Sequence, residues 1–239
     1  MSNILVVAPH PDDETLGCGG AILRHVAQGD SVHWCIVTAM TSAAGYAADR
    51  IAARAATIET VAKHYNFTDV HELGFPAAEL DQLPRAEVVA GFSDVVSKVT
   101  PERIYLPHPA DTHSDHRVSF EAAASCTKWF RYNSIKQVLA YETLSETGFG
   151  IDPSMDAFRA NYYIDISDHL AGKVTATGLY GDEFAPPPRF REARMVSARW
   201  RRCAAVNPDI WPQKPSCFCG LGKTNRPTFC HARNPSRAP

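Results

Sequence analysis

Apolar residues along the chain follow two rhythms that take turns. Ile4, Leu5, Val6 and Val7 form an unbroken apolar run that stops at Pro9 and Pro11, too short for a helix and without a polar side. That is the pattern of a strand buried on both faces. Runs at 31–38 (SVHWCIVT), 70–75, 103–106 and 137–143 predict four more strands, and the alternation of YYIDI at 162–166 predicts another. Between them the apolar spacing lengthens to the helical period. Helices are predicted at 14–28, at 49–65 through Ile51, Ile58, Val61 and Ala62, and at 81–99 through Leu83, Val88, Phe92, Val95, Val96 and Val99 ahead of Pro101. Two more follow at 115–130 and from Ser167 or Asp168, as N-cap, to about Tyr180. Strands alternating with helices predict an α/β fold: a right-handed, doubly wound, mostly parallel sheet with helices on both faces. Segments 39–48 and 148–156 read as loops, the first of them over the strand ends. No internal repeat is visible, and 1–200 reads as a single domain followed by an atypical tail at 201–239.

Composition narrows the partners. The 239 residues are 45% hydrophobic and 21% charged, enough for a sizeable core, and the formal net charge of -2 offers no basic field for nucleic acid or a membrane surface. A small molecule is the expected partner, and the oligomeric state stays open. No run approaches the roughly 20 apolar residues of a membrane span, and a strand begins at once, so a cytoplasmic protein is expected. Seven cysteines do not pair evenly, and Cys18, Cys35 and Cys126 fall inside predicted elements, where free cysteine behaves as a small buried hydrophobe.

The chemistry gathers at two strand ends. PHPDDE at 9–14 places His10, Asp12, Asp13 and Glu14 at the carboxyl end of the first strand, where ligands of open parallel sheets bind. HPADTHSDHR at 108–117 places His113, Asp115 and His116 after another strand, hence on the same edge. Histidines and aspartates at strand ends often only cap helices and form turns, but two such clusters on one edge argue for a shared site. His10, Asp13 and His116 suit a divalent ion with an open position for water, which points to metal-assisted hydrolysis. Asp12, adjacent and not ligating, is placed to act as general base. His113 would face the substrate carbonyl or the leaving amine, and Asp115 would orient or charge-tune it. This donor set does not choose zinc over iron or manganese. Nucleotide binding is disfavoured, because Gly17, Gly19 and Gly20 come too late for a Gly-x-Gly-x-x-Gly turn and read instead as sites of close helix packing.

PHPDDETLGCGG and HPADTHSDHR resemble, in order, spacing and residue type, the two motifs of the PIG-L/LmbE family of zinc-dependent N-deacetylases, and weaker likeness runs through GFPAAELDQLP, AYETLSETGFG and YYIDISDHLAGKVTA. The resemblance implies a Rossmann-like fold and a zinc cofactor held by His10, Asp13 and His116. It also implies Asp12 as base, His113 as second catalytic group, and removal of an N-acetyl group from an N-acetylglucosamine-type conjugate. Two alternatives stand beside it: a metal amidase cleaving another acyl group from a sugar conjugate, and a metal-binding remnant without turnover. The family's Arg-x-x-Glu on the second helix is broken here, with Thr57 three residues after Arg54, so for Arg50 and Arg54 a solvated helix face stands beside substrate contact as a reading. Asp111 reads as a loop tether rather than a catalytic group.

From about Arg201 the periodicity disappears into Pro, Arg and Cys. A metal knuckle from Cys217, Cys219, Cys230 and His231 lacks the usual two-residue gaps. Family members commonly end in a strand near Gly-x-x-x-Ala-Glu-Ala-Phe, and codons read one frame away across Trp211 to Gly220 allow AEAFVLLR. The tail is therefore expected to be a frameshift product that costs the sheet its last strand, and the coding DNA tests this.

Overall fold

The computed structural model describes residues 1–149, 158–181 and the backbone of 218–223. Five parallel strands form its centre: β1 (Asn3–Ala8), β2 (Ser31–Ala39), β3 (Asp69–Pro76), β4 (Arg103–Pro107) and β5 (Gln137–Tyr141). Beyond β5 lie β6 (Tyr162–Asp165) and β7 (Phe218–Lys223), and the sheet order is β3-β2-β1-β4-β5-β7-β6. β7 runs antiparallel to both β5 and β6. Thus 218–223 takes a place in the sheet, while the expected change of reading frame and the Cys-His knuckle otherwise fall outside the described residues, as does most of the 148–156 loop.

Alternation along β1 explains the two layers. Ile4, Val6 and Ala8 face one side with Trp34 and Ile36, against α1 (Asp13–Ala27), α2 (Ala48–Tyr65) and α5 (Leu170–Leu179). Leu5 and Val7 face the other with Cys35 and Val37, against α3 (Arg85–Val99) and α4 (Ser114–Ser125). Each fully buried valine or leucine contributes roughly 1.5–3 kcal/mol, so β1, at most 1% exposed from Ile4 to Ala8, is the keel of both cores. Cys18, Cys35 and Cys126 are buried, as expected of small hydrophobes.

Three helices are shorter than expected. Pro84 divides the segment predicted as one helix at 81–99: Leu80–Gln82 forms a single 3-10 turn and α3 starts after the proline, where its missing N–H costs nothing. α4 stops at Ser125, and Trp129 and Phe130 beyond it are 78% and 67% exposed rather than core-facing. Similarly, Ser167–His169 is a 3-10 turn ahead of α5, with Asp165 accepting from the Ser167 N–H at 2.9 Å. The glycine-rich start of α1 does pack closely. A Cβ on Gly17 would lie 2.1 Å from the Tyr141 ring, and one on Gly20 2.5 Å from Ile166. The Tyr141 hydroxyl in turn donates to the Val7 carbonyl at 2.7 Å, tying β5 to the end of β1.

Candidate active site

The chain moves from β1 out to β2 and β3 on one side, then crosses back to β4 on the other. The carboxyl ends of β1 and β4 therefore flank the topological switch point, where a crevice opens. His10 follows β1 and His116 lies in the first turn of α4, after β4. Packing brings these positions together. His10 Nδ1 and His116 Nε2 lie 3.4 Å and 3.2 Å from the same oxygen, Asp13 Oδ2. Zinc–nitrogen bonds of roughly 2.0–2.1 Å in tetrahedral geometry would set donors about 3.3 Å apart, so the spacing fits one ion.

Surrounding carboxylates decide which ring nitrogens face that point. Asp115 Oδ2 sits 3.0 Å from His10 Nε2, and Asp111 Oδ2 sits 2.8 Å from His116 Nδ1. Each histidine is engaged on its outer nitrogen and turned inward with the other, the usual arrangement behind metal-ligating imidazole. The buried His116 Nε2 makes no hydrogen bond of good geometry, an orphan that an ion would satisfy. His10, His113 and Asp115 could also converge on an ion. Asp115, however, already accepts from the backbone N–H of Ala78 (2.7 Å) and Leu80 (3.3 Å), and its own N–H donates to His113 Nδ1 (3.1 Å). In the His10, Asp13, His116 set, His116 Nε2 lacks a well-aligned hydrogen bond, so the donors of this set suit an ion better.

Electrostatics point the same way. Burial alone would lower both histidines. Hydrogen bonds that His10 donates to the Asp115 and Asp13 carboxylates instead raise it to about 9, and the charge of Asp13 with the hydrogen bond to Asp111 raises His116 to about 10. Asp13 opposes its own burial through His116 and His10 and is held well below the usual carboxylate range. Protons on two histidines thus supply the positive charge that the carboxylates demand, and a divalent ion would displace them.

Asp12 belongs to neither of these donor sets. It adopts φ 154° and ψ -27°, a conformation that costs a residue with a Cβ and persists where surrounding bonds enforce it. Those bonds are its N–H to Glu14 Oε2 (3.0 Å) and the Thr15 and Leu16 N–H groups to its carbonyl (3.0 and 2.9 Å). Burial, then the neighbouring Asp13 and Glu14 charges, push its carboxyl well above the ordinary value. His113 caps α4, and its ring stands 4.6 Å from that of His10. Burial and the charge of His10 lower it, so it is neutral, and because Nδ1 accepts from Asp115 N–H its proton sits on Nε2. The Asp115 carboxylate lies 4.0 Å from His113 and touches His10 instead. His10, Asp12, Asp13, His113 and His116 all line one cavity of about 440 Å3, with Tyr46, Arg54 and Glu146 further out. Arg54 Nη1 donates to the Pro11 carbonyl at 2.9 Å.

Asp111 does more than tether a loop. It is fully buried, holds His116 and accepts from the Thr147 hydroxyl. The signal available was an aspartate five residues ahead of a ligand histidine, which only the turn before α4 brings to the ring.

The matching family model is that of the GlcNAc-PI de-N-acetylases, PIG-L, over residues 5–127. The chain belongs to the PIG-L family. Its relatives include the Escherichia coli (strain K12) protein described as uncharacterized deacetylase YaiS, 26% identical over 151 residues, which cover 59% of this chain and 74% of that one. Another is the diacetylchitobiose deacetylase of Thermococcus kodakarensis, 25% identical over 202 residues, 77% of this chain and 71% of the relative. Among solved structures, the conserved protein TT1542 from Thermus thermophilus superposes with a TM-score of 0.69 at 22% identity, covering 98% of this chain and all of that one. The α/β architecture is therefore that of a PIG-L-type protein. Among the described residues no helix is long and apolar enough to cross a membrane.

Proposed function

We propose that this chain, with 1–200 as one catalytic domain, is a zinc-dependent N-deacetylase acting on a small N-acetylglucosamine-type conjugate. The observation that carries the reading is the pairing of a metal-shaped His10, Asp13, His116 cluster with a non-ligating carboxylate, Asp12, in the same cavity. A divalent ion held by the three would supply Lewis acidity and a water of lowered pKa. Asp12, with its raised pKa, suits a base that takes a proton from the attacking water and returns it to the leaving nitrogen. Water oxygen joins the acetyl carbon, the C–N bond breaks, and acetate and a free amine result. His113, carrying its proton on Nε2, donates a hydrogen bond to the oxyanion that develops on the acetyl oxygen. Asp115 and Asp111 act through His10 and His116 as positioning residues. The relative that deacetylates diacetylchitobiose supports an aminosugar substrate of this size.

The full chain loaded with zinc is expected to release acetate from N-acetylglucosamine conjugates, and to hold about one ion at this end that His116→Ala removes. Zinc-loaded protein that releases no acetate from any of them would overturn the reading.

A further inference from the structure

A second pair of histidines lies at the opposite end of the same sheet. His33 on β2 and Asp69 on β3 are register partners, and His71 follows Asp69 by two residues. Strand alternation puts all three on one face, that of Cys35 and α3. Since β3 is the edge strand, this corner is partly open to water: His71 is buried, His33 half-buried and the Asp69 side chain 46% exposed.

The geometry is close to that of a ligand set. His71 Nε2 lies 3.5 Å from His33 Nδ1 and 3.7 Å from Asp69 Oδ2. A hydrogen bond between the rings would be expected nearer to about 2.9–3.0 Å. Two donors sharing one ion would stand about 3.3 Å apart. The rings stack with centroids 5.7 Å apart and 22° between planes, and one donor atom from each of His33, Asp69 and His71 lies within 4.8 Å of the other two. Burial lowers both histidines, so their lone pairs are free at neutral pH. Lys98 Nζ, 3.2 Å from Asp69 Oδ2, is the cation now beside the carboxylate.

We propose that His33, His71 and Asp69 form a second metal site. It would take a borderline divalent ion such as Ni2+, Cu2+ or Zn2+ through two imidazole nitrogens and one carboxylate oxygen, with water completing the coordination. The site does not depend on the deacetylase reading, because none of its residues lines the catalytic cavity.

Nickel titration of the full chain tests it by difference. With the catalytic end disabled by His116→Ala, one nickel ion is expected to bind, and adding His33→Ala, a half-exposed change that spares the core, should weaken that binding at least about a hundredfold. Equal affinity in the two variants would overturn the proposal. Lys98→Gln, which frees Asp69, should tighten nickel by up to about fivefold; an unchanged affinity would remove the carboxylate from the site. In the His116→Ala chain, where the catalytic end no longer competes, substoichiometric Cu2+ should broaden the ring resonances of His33 and His71. If these stay sharp while others broaden, the pair is only a stacked aromatic contact.

Discussion

Two His, His, Asp constellations sit at opposite ends of one parallel sheet, and they are built differently. At the carboxyl end His10 comes from the turn after β1 and His116 from the first turn of α4 after β4, and they meet only because the chain crosses the switch point. Each has a carboxylate on its outer nitrogen. At the opposite end His33 and His71 are neighbours by register alone, and among the described residues no carboxylate holds their outer nitrogens. The lesson is that donor spacing is simple to obtain from a sheet, while a fixed, charged outer layer needs residues from several elements. The first arrangement is preorganised for chemistry, the second at most for binding.

The comparison can be broken most sharply through activity. Asp12→Ala should lower acetate release of the zinc-loaded chain by about 10²–10⁴-fold, as loss of a general base does, while His33→Ala leaves it unchanged. Equal losses in both would mean the two ends are not independent. A smaller effect comes from the outer layer. Asp111→Asn should weaken zinc at the catalytic end by about 10–100-fold with nickel binding at β2 and β3 untouched, measured by parallel titrations.

Proton linkage separates the ends more finely. His10 and His116 are raised to about 9 and about 10, so at pH 7 both hold protons that an ion must displace. Zinc affinity there should climb as pH rises from 7 towards 9, and calorimetry in buffers of different ionisation enthalpy should show protons released. His33 and His71 are lowered, hence already neutral at pH 7, so binding at that end should release almost none and weaken only in acid. The smallest expected change is structural. Gly17→Ala drives a methyl group into the Tyr141 ring and should cost about 1–3 kcal/mol in thermal or denaturant unfolding, without altering metal binding at the β2 and β3 end.

Much of the architecture was legible in the chain. Strands β1 to β5 appear close to where the pattern predicts them; β1 is the plainest case, because a parallel strand buried on both faces leaves no room for polar residues, while the edge strand β3 keeps polar positions. The misread helix at 81–99 shows the limit: its apolar spacing runs straight through Pro84, and periodicity alone cannot say whether a proline starts a helix or sits inside one. The helix expected at 115–130 likewise stops early, at Ser125, and Trp129 and Phe130 beyond it stand exposed.

The sequence by itself determined the alternation of strands and helices, the two polar clusters at strand ends, and the chemical identity of the donors, because these follow from local periodicity and residue type. Tertiary structure decided which donors meet. It put His10 and His116 on one oxygen of Asp13, gave Asp115 to His10 rather than His113, and turned Asp111 from a loop tether into the partner of His116. It also set His33 beside His71, whose strands lie far apart along the chain. Ring orientation and hydrogen-bond partnership depend on distances of a few tenths of an ångström between distant segments, and only the folded sheet fixes those.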